Sequence, residues 1–275
     1  MAIETVRQAE SRERTELPVL RLTNVSVRLG DKLALSRIDL EVESGAFVGL
    51  IGPNGSGKST LLRAALGVLP LASGSVSVLG VRQEQARDRF AYLPQRGQLD
   101  LDLPLHARDV VMMGRIRHTG WLHAPGRNDR EVVRHCLDLV GLEDCANSPI
   151  GALSFGQQQR VFFARALAQE GDILMLDEPM NGVDPQTQDV FVQLLSDLHE
   201  DGKTIVMATH DLTQAAAMCD NLCVLKQGLV AYGPVSEVLT EAVLRDAYGV
   251  HLHFRPGAAE PGHLLGDVHH HDAEG

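Results

Sequence analysis

The chain has 275 residues, 44% of them hydrophobic, and a formal net charge of −11. That length and apolar content suit one large α/β domain with a sub-domain, while the acidic balance argues against nucleic acid or anionic lipid as a partner. No run approaches the roughly 20 apolar residues that span a bilayer, and the polar start MAIETVRQAESRER lacks a signal-peptide core; the expectation is a cytosolic chain whose cysteines, Cys136, Cys145, Cys219 and Cys223, are reduced and mostly buried.

Residues 1–17 are charged and aperiodic, which predicts a flexible extension before a domain over 18–250. From Val19 to Val42 β-branched residues and leucines alternate with polar ones around Gly30-Asp31, the pattern of an antiparallel strand pair. FVGLI (47–51), DILML (172–176) and TIVMA (204–208) are apolar throughout, as strands buried on both faces of a helix-covered parallel sheet are. Between about 96 and 160 the period turns helical. Val132, Val133, Cys136, Leu137 and Val140 form one stripe behind a predicted cap at Asn128. After Val250 the composition turns to Gly, Pro, His and Asp, and 251–275 reads as a loosely ordered tail.

GPNGSGKST, from Gly52 through Pro53, Asn54, Gly55, Ser56, Gly57, Lys58 and Ser59 to Thr60, fits the phosphate-loop pattern, follows the apolar FVGLI run and opens the helical LLRAAL. Glycines let backbone N–H groups turn inward around phosphates, and the helix start adds partial positive charge. Lys58 is placed to reach the β- and γ-phosphates and the Ser59 hydroxyl to ligate Mg²⁺.

ILMLDEP ends a buried strand in Asp177 and Glu178, suited to holding Mg²⁺ through its water shell and to polarising an attacking water, respectively. TIVMATHD ends another in His210, positioned for a γ-phosphate or its attacking water. Taken singly, such acids are as often merely solvated and such a histidine more often structural. In LSFGQ, Ser154 and Gln157 have capping-box spacing ahead of RVFFARALA, a helix start with free N–H groups that suits a phosphate.

The ordered set GPNGSGKST, AYLPQ, LSFGQ, ILMLDEP, NGVD and His210 resembles the ATP-binding cassette (ABC) family over about residues 19–250. The resemblance implies an α/β P-loop NTPase (RecA-like) core with a mainly parallel sheet, an N-terminal antiparallel β sub-domain and an inserted helical sub-domain at about 96–160. It implies ATP and Mg²⁺ as ligands, Gln95 as a sensor of metal and γ-phosphate, and a head-to-tail homodimer. In that dimer Ser154, Gly156 and Gln157 face the partner's ATP, and hydrolysis at Glu178 lets the pair open.

Two departures stand out: Phe155 replaces the usual second signature glycine, whose backbone angles a bulky residue does not share, and Leu29 replaces an adenine-stacking aromatic. AYLPQRGQLDLDLPLHARDVVMMGR, GWLHAPGRNDREVV and DEPMNGVDPQTQ resemble more narrowly the ATPase subunits of bacterial manganese, zinc and iron importers. These lie peripherally on the cytoplasmic face of the membrane and work with an integral permease, whose coupling helix would dock around 95–115, and an extracytoplasmic metal-binding protein. The same motor on a permease for iron chelates or on an exporter, and a soluble cassette protein outside transport, are the alternatives. The tail histidines His251, His253, His263 and His269–His271 make a possible metal-ligand cluster, with a functionless solvated tail as the simpler reading.

Overall fold

The computed structural model describes residues 18–95, 104–120 and 123–249; the expected extension (1–17), the histidine-rich tail and part of the coupling segment (96–103) lie outside them. The first hairpin forms as expected. Strands β1 (Leu20–Leu29) and β2 (Lys32–Val42) pair antiparallel across Gly30-Asp31, and β4 (Ser73–Val78) and β5 (Val81–Arg82) complete a small sheet in the order β2-β1-β4-β5.

The second sheet runs β10-β9-β3-β8-β7-β6, with β3 (Phe47–Ile51), β6 (Phe90–Leu93), β7 (Ile173–Asp177), β8 (Thr204–Ala208) and β9 (Asn221–Lys226) parallel and β10 (Gly228–Pro234) antiparallel at the edge. β3, β7 and β8 are buried at every residue. Their side chains divide by the two-residue period of a strand. Val48, Leu50, Ile173, Met175 and Val206 face helix α1 (Lys58–Ala65) and the small sheet, while Ile51, Leu174, Leu176, Ile205 and Met207 face the other layer of helices. The continuous apolar runs thus reflect cover on both sides.

The insert between β6 and β7 holds α2 (Ala107–Met112), a short α3 (Ile116–Thr119), α4 (Arg127–Leu139) and α5 (Phe155–Leu167). On α4 Val133, Cys136 and Leu137 are buried, with Val140 just beyond, but Val132 is only partly covered. Asn128 is not the cap. Gly126 occupies that position, and the Asp129 carboxylate reaches back to accept its N–H at 2.9 Å, so the box closes without a cap side chain. Arg115, its side chain only 3% exposed, fastens the insert to the end of α5. It donates to Asp129 Oδ1 (3.1 Å), the Ala168 carbonyl (2.9 Å) and Glu170 Oε2 (2.5 Å).

After β7 come α6 (Pro185–Glu200), α7 (Leu212–Met218), α8 (Val235–Val238) and α9 (Glu241–Tyr248). Cys136, Cys219 and Cys223 are buried and Cys145 half-buried, all as free thiols. Among the described residues no helix is long and apolar enough to cross a membrane.

Candidate nucleotide site

The glycine loop bridges the end of β3 and the start of α1, and its backbone is crowded from behind. Gly52 has φ +148°, and a Cβ there would stand 2.3 Å from the Leu225 carbonyl; Gly57 has φ +107°, and a Cβ would meet Leu35 at 2.4 Å. Only glycine turns the chain at these two points. The β9–β10 turn clamps the loop, with the Gln227 N–H on the Ser56 carbonyl (2.9 Å) and the Gln227 carbonyl receiving the Ser36 N–H of β2 (2.8 Å). Asn54 is exposed at the tip, Pro53 and Thr60 are half-buried, and the buried Ser56 hydroxyl has no hydrogen-bond partner among the described residues.

Lys58 is buried, and its ammonium donates to the Gly52 carbonyl at 2.7 Å and more weakly to Pro53 at 3.4 Å. Burial pulls it below the ordinary lysine range, while Glu178 and Asp177 favour its charge. Ser59 Oγ donates to Asp177 Oδ1 at 2.7 Å, joining motifs 118 residues apart. Asp177 is 1% exposed, and its Oδ2 is buried with no hydrogen-bond partner among the described residues. Burial raises its carboxyl above the usual range, opposed by the Ser59 hydrogen bond and the Arg63 charge.

Glu178 has a left-handed backbone, φ +52°, which is costly for a residue with a Cβ. Its N–H is held by the Ala208 carbonyl of β8 (3.0 Å), and its Oε2 accepts from Gln95 Nε2 (2.9 Å) and Asn181 Nδ2 (3.0 Å). Gln95 thus turns to Glu178, away from the Ser59–Asp177 pair. His210 is exposed and lines one cleft with Glu178, Asn181 and Gln214.

Lys58, Ser59, Gln95, Asp177 and Glu178 therefore meet at the carboxyl ends of parallel strands, where open α/β sheets bind ligands. Ser154 and Gln157 do not join them. They hydrogen-bond each other as a closed capping box, 2.9 Å and 3.2 Å, at the start of α5. Gly156 is buried there, and a Cβ would lie 2.3 Å from Asp184 Oδ2 and 2.4 Å from Thr187 Oγ1, the cap of α6. Its glycine is required by packing of two helix starts.

The concern over Phe155 is corrected by its backbone. It is the first residue of α5, absent from the residues with positive φ, and its ring lies against Gly182. Leu29 is 47% exposed at the end of β1. Sequence reading missed Asn181, whose signal was an amide three residues after Glu178, and also Arg63 and Tyr92, which adjoin Asp177.

A glycine loop at the end of a central parallel strand, beside a buried aspartate at the end of a neighbouring one, defines a P-loop NTPase fold. The family described as ABC transporter matches residues 35–181. The manganese transport system ATP-binding protein MntB of Bacillus subtilis is 44% identical over 233 residues, 85% of this chain and 93% of that protein. The zinc transport system ATP-binding protein TroB of Treponema pallidum is 40% identical, covering 84% of this chain and 86% of its own length. The dimeric ATP-binding cassette MJ0796, bound to ADP and Pi in a post-hydrolysis state, superposes with a TM-score of 0.69 at 30% identity, over 78% of this chain and 98% of that one. The chain belongs to the ABC transporter family. It is an ATP-binding, ATP-hydrolysing cassette.

Proposed function

We propose that this cassette is the peripheral, cytoplasmic-face motor of an importer of divalent metal ions, manganese or zinc foremost, acting as a homodimer on a separate permease supplied by an extracytoplasmic metal-binding protein. The resemblance to MntB and TroB along most of the chain supports the substrate class. The dimer of MJ0796 supports the assembly. A groove of about 410 Å³ between α2 and α4, lined by Arg108, Met112, Pro125, Arg130, Val133 and Leu137, is suited to receive a permease helix.

The observation that carries the chemistry is the Ser59–Asp177 hydrogen bond with Glu178 alongside. The orphaned, buried Oδ2 of Asp177 and the adjacent hydroxyl form a hard-oxygen donor set that fits Mg²⁺. Bound with ATP, that ion supplies charge neutralisation to the phosphates. Ser59 and Asp177 would hold it, with Gln95 able to turn to it from Glu178. Gly52–Thr60 would cradle the phosphates, Lys58 giving up its loop carbonyls for phosphate oxygens. Glu178 would take a proton from the attacking water, and His210 would contact the γ-phosphate side. Ser154, Gly156 and Gln157 would complete the partner's site through the exposed start of α5.

Glu178→Gln is expected to bind ATP and accumulate as a dimer by light scattering, whereas a monomer under saturating ATP would contradict the shared-site reading. Disrupting the gene is expected to lower cellular manganese or zinc. Unchanged metal contents would redirect the motor to another substrate.

A further inference from the structure

Tyr92 lies at the centre of an arrangement that the site as described does not use. In the β6–β7 register Tyr92 pairs with Met175, so Tyr92, Met175 and Asp177 share the face of the sheet that α1 covers. Asp177 is then the diagonal neighbour of Tyr92, a spacing that an aromatic side chain spans. The Tyr92 hydroxyl is buried without a hydrogen bond of ordinary geometry, as is Asp177 Oδ2. Arg63, one helical turn after Ser59 on α1, is the third polar neighbour. The hydroxyl interacts with both Asp177 and Arg63, and a buried hydroxyl or carboxylate oxygen left without such a partner is costly. The Tyr92 backbone is held on the outer edge of β6, because the Gln169 amide accepts its N–H and donates to its carbonyl, both at 3.2 Å.

We propose that Tyr92 is a positioning residue for Asp177, its hydroxyl donating to Oδ2 so that Oδ1 stays turned to Ser59 and the carboxylate is pre-set for the metal. Each carboxylate oxygen has two lone pairs, so this contact leaves Oδ2 able to accept from the ion's water shell as well. The adjacent Arg63 guanidinium favours the ionised carboxylate. The inference rests on the reading of Asp177 as the Mg²⁺ anchor. Partners that orient a metal-binding carboxylate typically contribute tenfold or more to metal affinity.

The test is Tyr92→Phe in the full chain, with Asp177→Asn beside it, reading Mn²⁺ binding in the presence of ATP by electron paramagnetic resonance. Binding of a fluorescent ATP analogue in EDTA and the melting temperature are measured on the same samples. Tyr92→Phe is expected to weaken Mn²⁺ about tenfold while leaving metal-free nucleotide binding unchanged, and a melting temperature close to the parent's, with the ring retained, shows that the fold is kept. Unchanged Mn²⁺ affinity overturns the inference, and so does an equal loss with and without metal. If Asp177→Asn binds Mn²⁺ like the parent, the metal-site reading itself fails. If Asp177→Asn loses Mn²⁺ and Tyr92→Phe does not, only the role of Tyr92 fails.

Discussion

Asn181 and Gln95 hold the same oxygen of Glu178 from opposite directions in sequence, one across the β6 edge and one from the turn after β7. Two donors on one carboxylate oxygen fix where it points. Truncating Asn181→Ala removes one charge-assisted bond, worth roughly 1.5 kcal/mol when well formed. Loss of orientation is expected to lower kcat about three- to tenfold with KM for ATP little changed, as steady-state ATPase assays would show. An unchanged kcat would make Gln95 the sufficient holder. At the same scale, Phe155 carries a general lesson, since the departure from the usual glycine looked like a backbone problem and the helix accommodates it without a positive φ.

The helical insert depends on acidic caps. The N–H of Gly126 chiefly, and then the Arg115 hydrogen bond and charge, hold the Asp129 carboxyl below the usual carboxylate range. A depressed folded value means that the contribution is fully present above the unfolded value of about 4 and is lost as pH falls through the folded one. Amide protection across 104–140, measured relative to the intrinsic exchange rate at each pH, is therefore expected to fall on acidification below about pH 4. Asp129→Asn should be less protected at neutral pH and should flatten that acid response. The box also shows where sequence reading fails. The buried strands and the glycine loop were legible because each is specified by contiguous residues, an apolar run or a turn that requires Gly52 and Gly57. The cap of α4 was misassigned because the aspartate at the third helical position acts backwards on a residue with no side chain to reveal it. The grouping of Tyr92 with Asp177 was not legible either, since it is set by the register of two strands that a long insert separates, and no local pattern encodes it.

Across the whole molecule, the two sheets and the insert converge on the loop and on the ends of β3, β7 and β8. The small sheet reaches the loop through Gln227, and the insert reaches β6 through Arg115, Glu170 and Gln169. A shift of the groove between α2 and α4 thus has a continuous path of packed and hydrogen-bonded groups to Gln95, and from it to Glu178. The backbone of Glu178 sits at φ +52°, in a region where an L-residue costs of order 1–3 kcal/mol.

Two variants isolate that cost. Glu178→Ala and Glu178→Gly both lack the carboxylate and its contacts and differ by one methyl group. At an ordinary position glycine is the weaker of the two by about 0.5–1 kcal/mol; here the order is expected to invert, with the glycine variant about 1 kcal/mol more stable in denaturant titration. Alanine matching or exceeding glycine would show that the turn is relaxed. An inverted order would mean that heat resistance and the proposed role of Glu178 in turnover make opposite demands on this one position, so that breeding the cassette for thermal endurance alone would tend to replace the residue proposed to activate the attacking water.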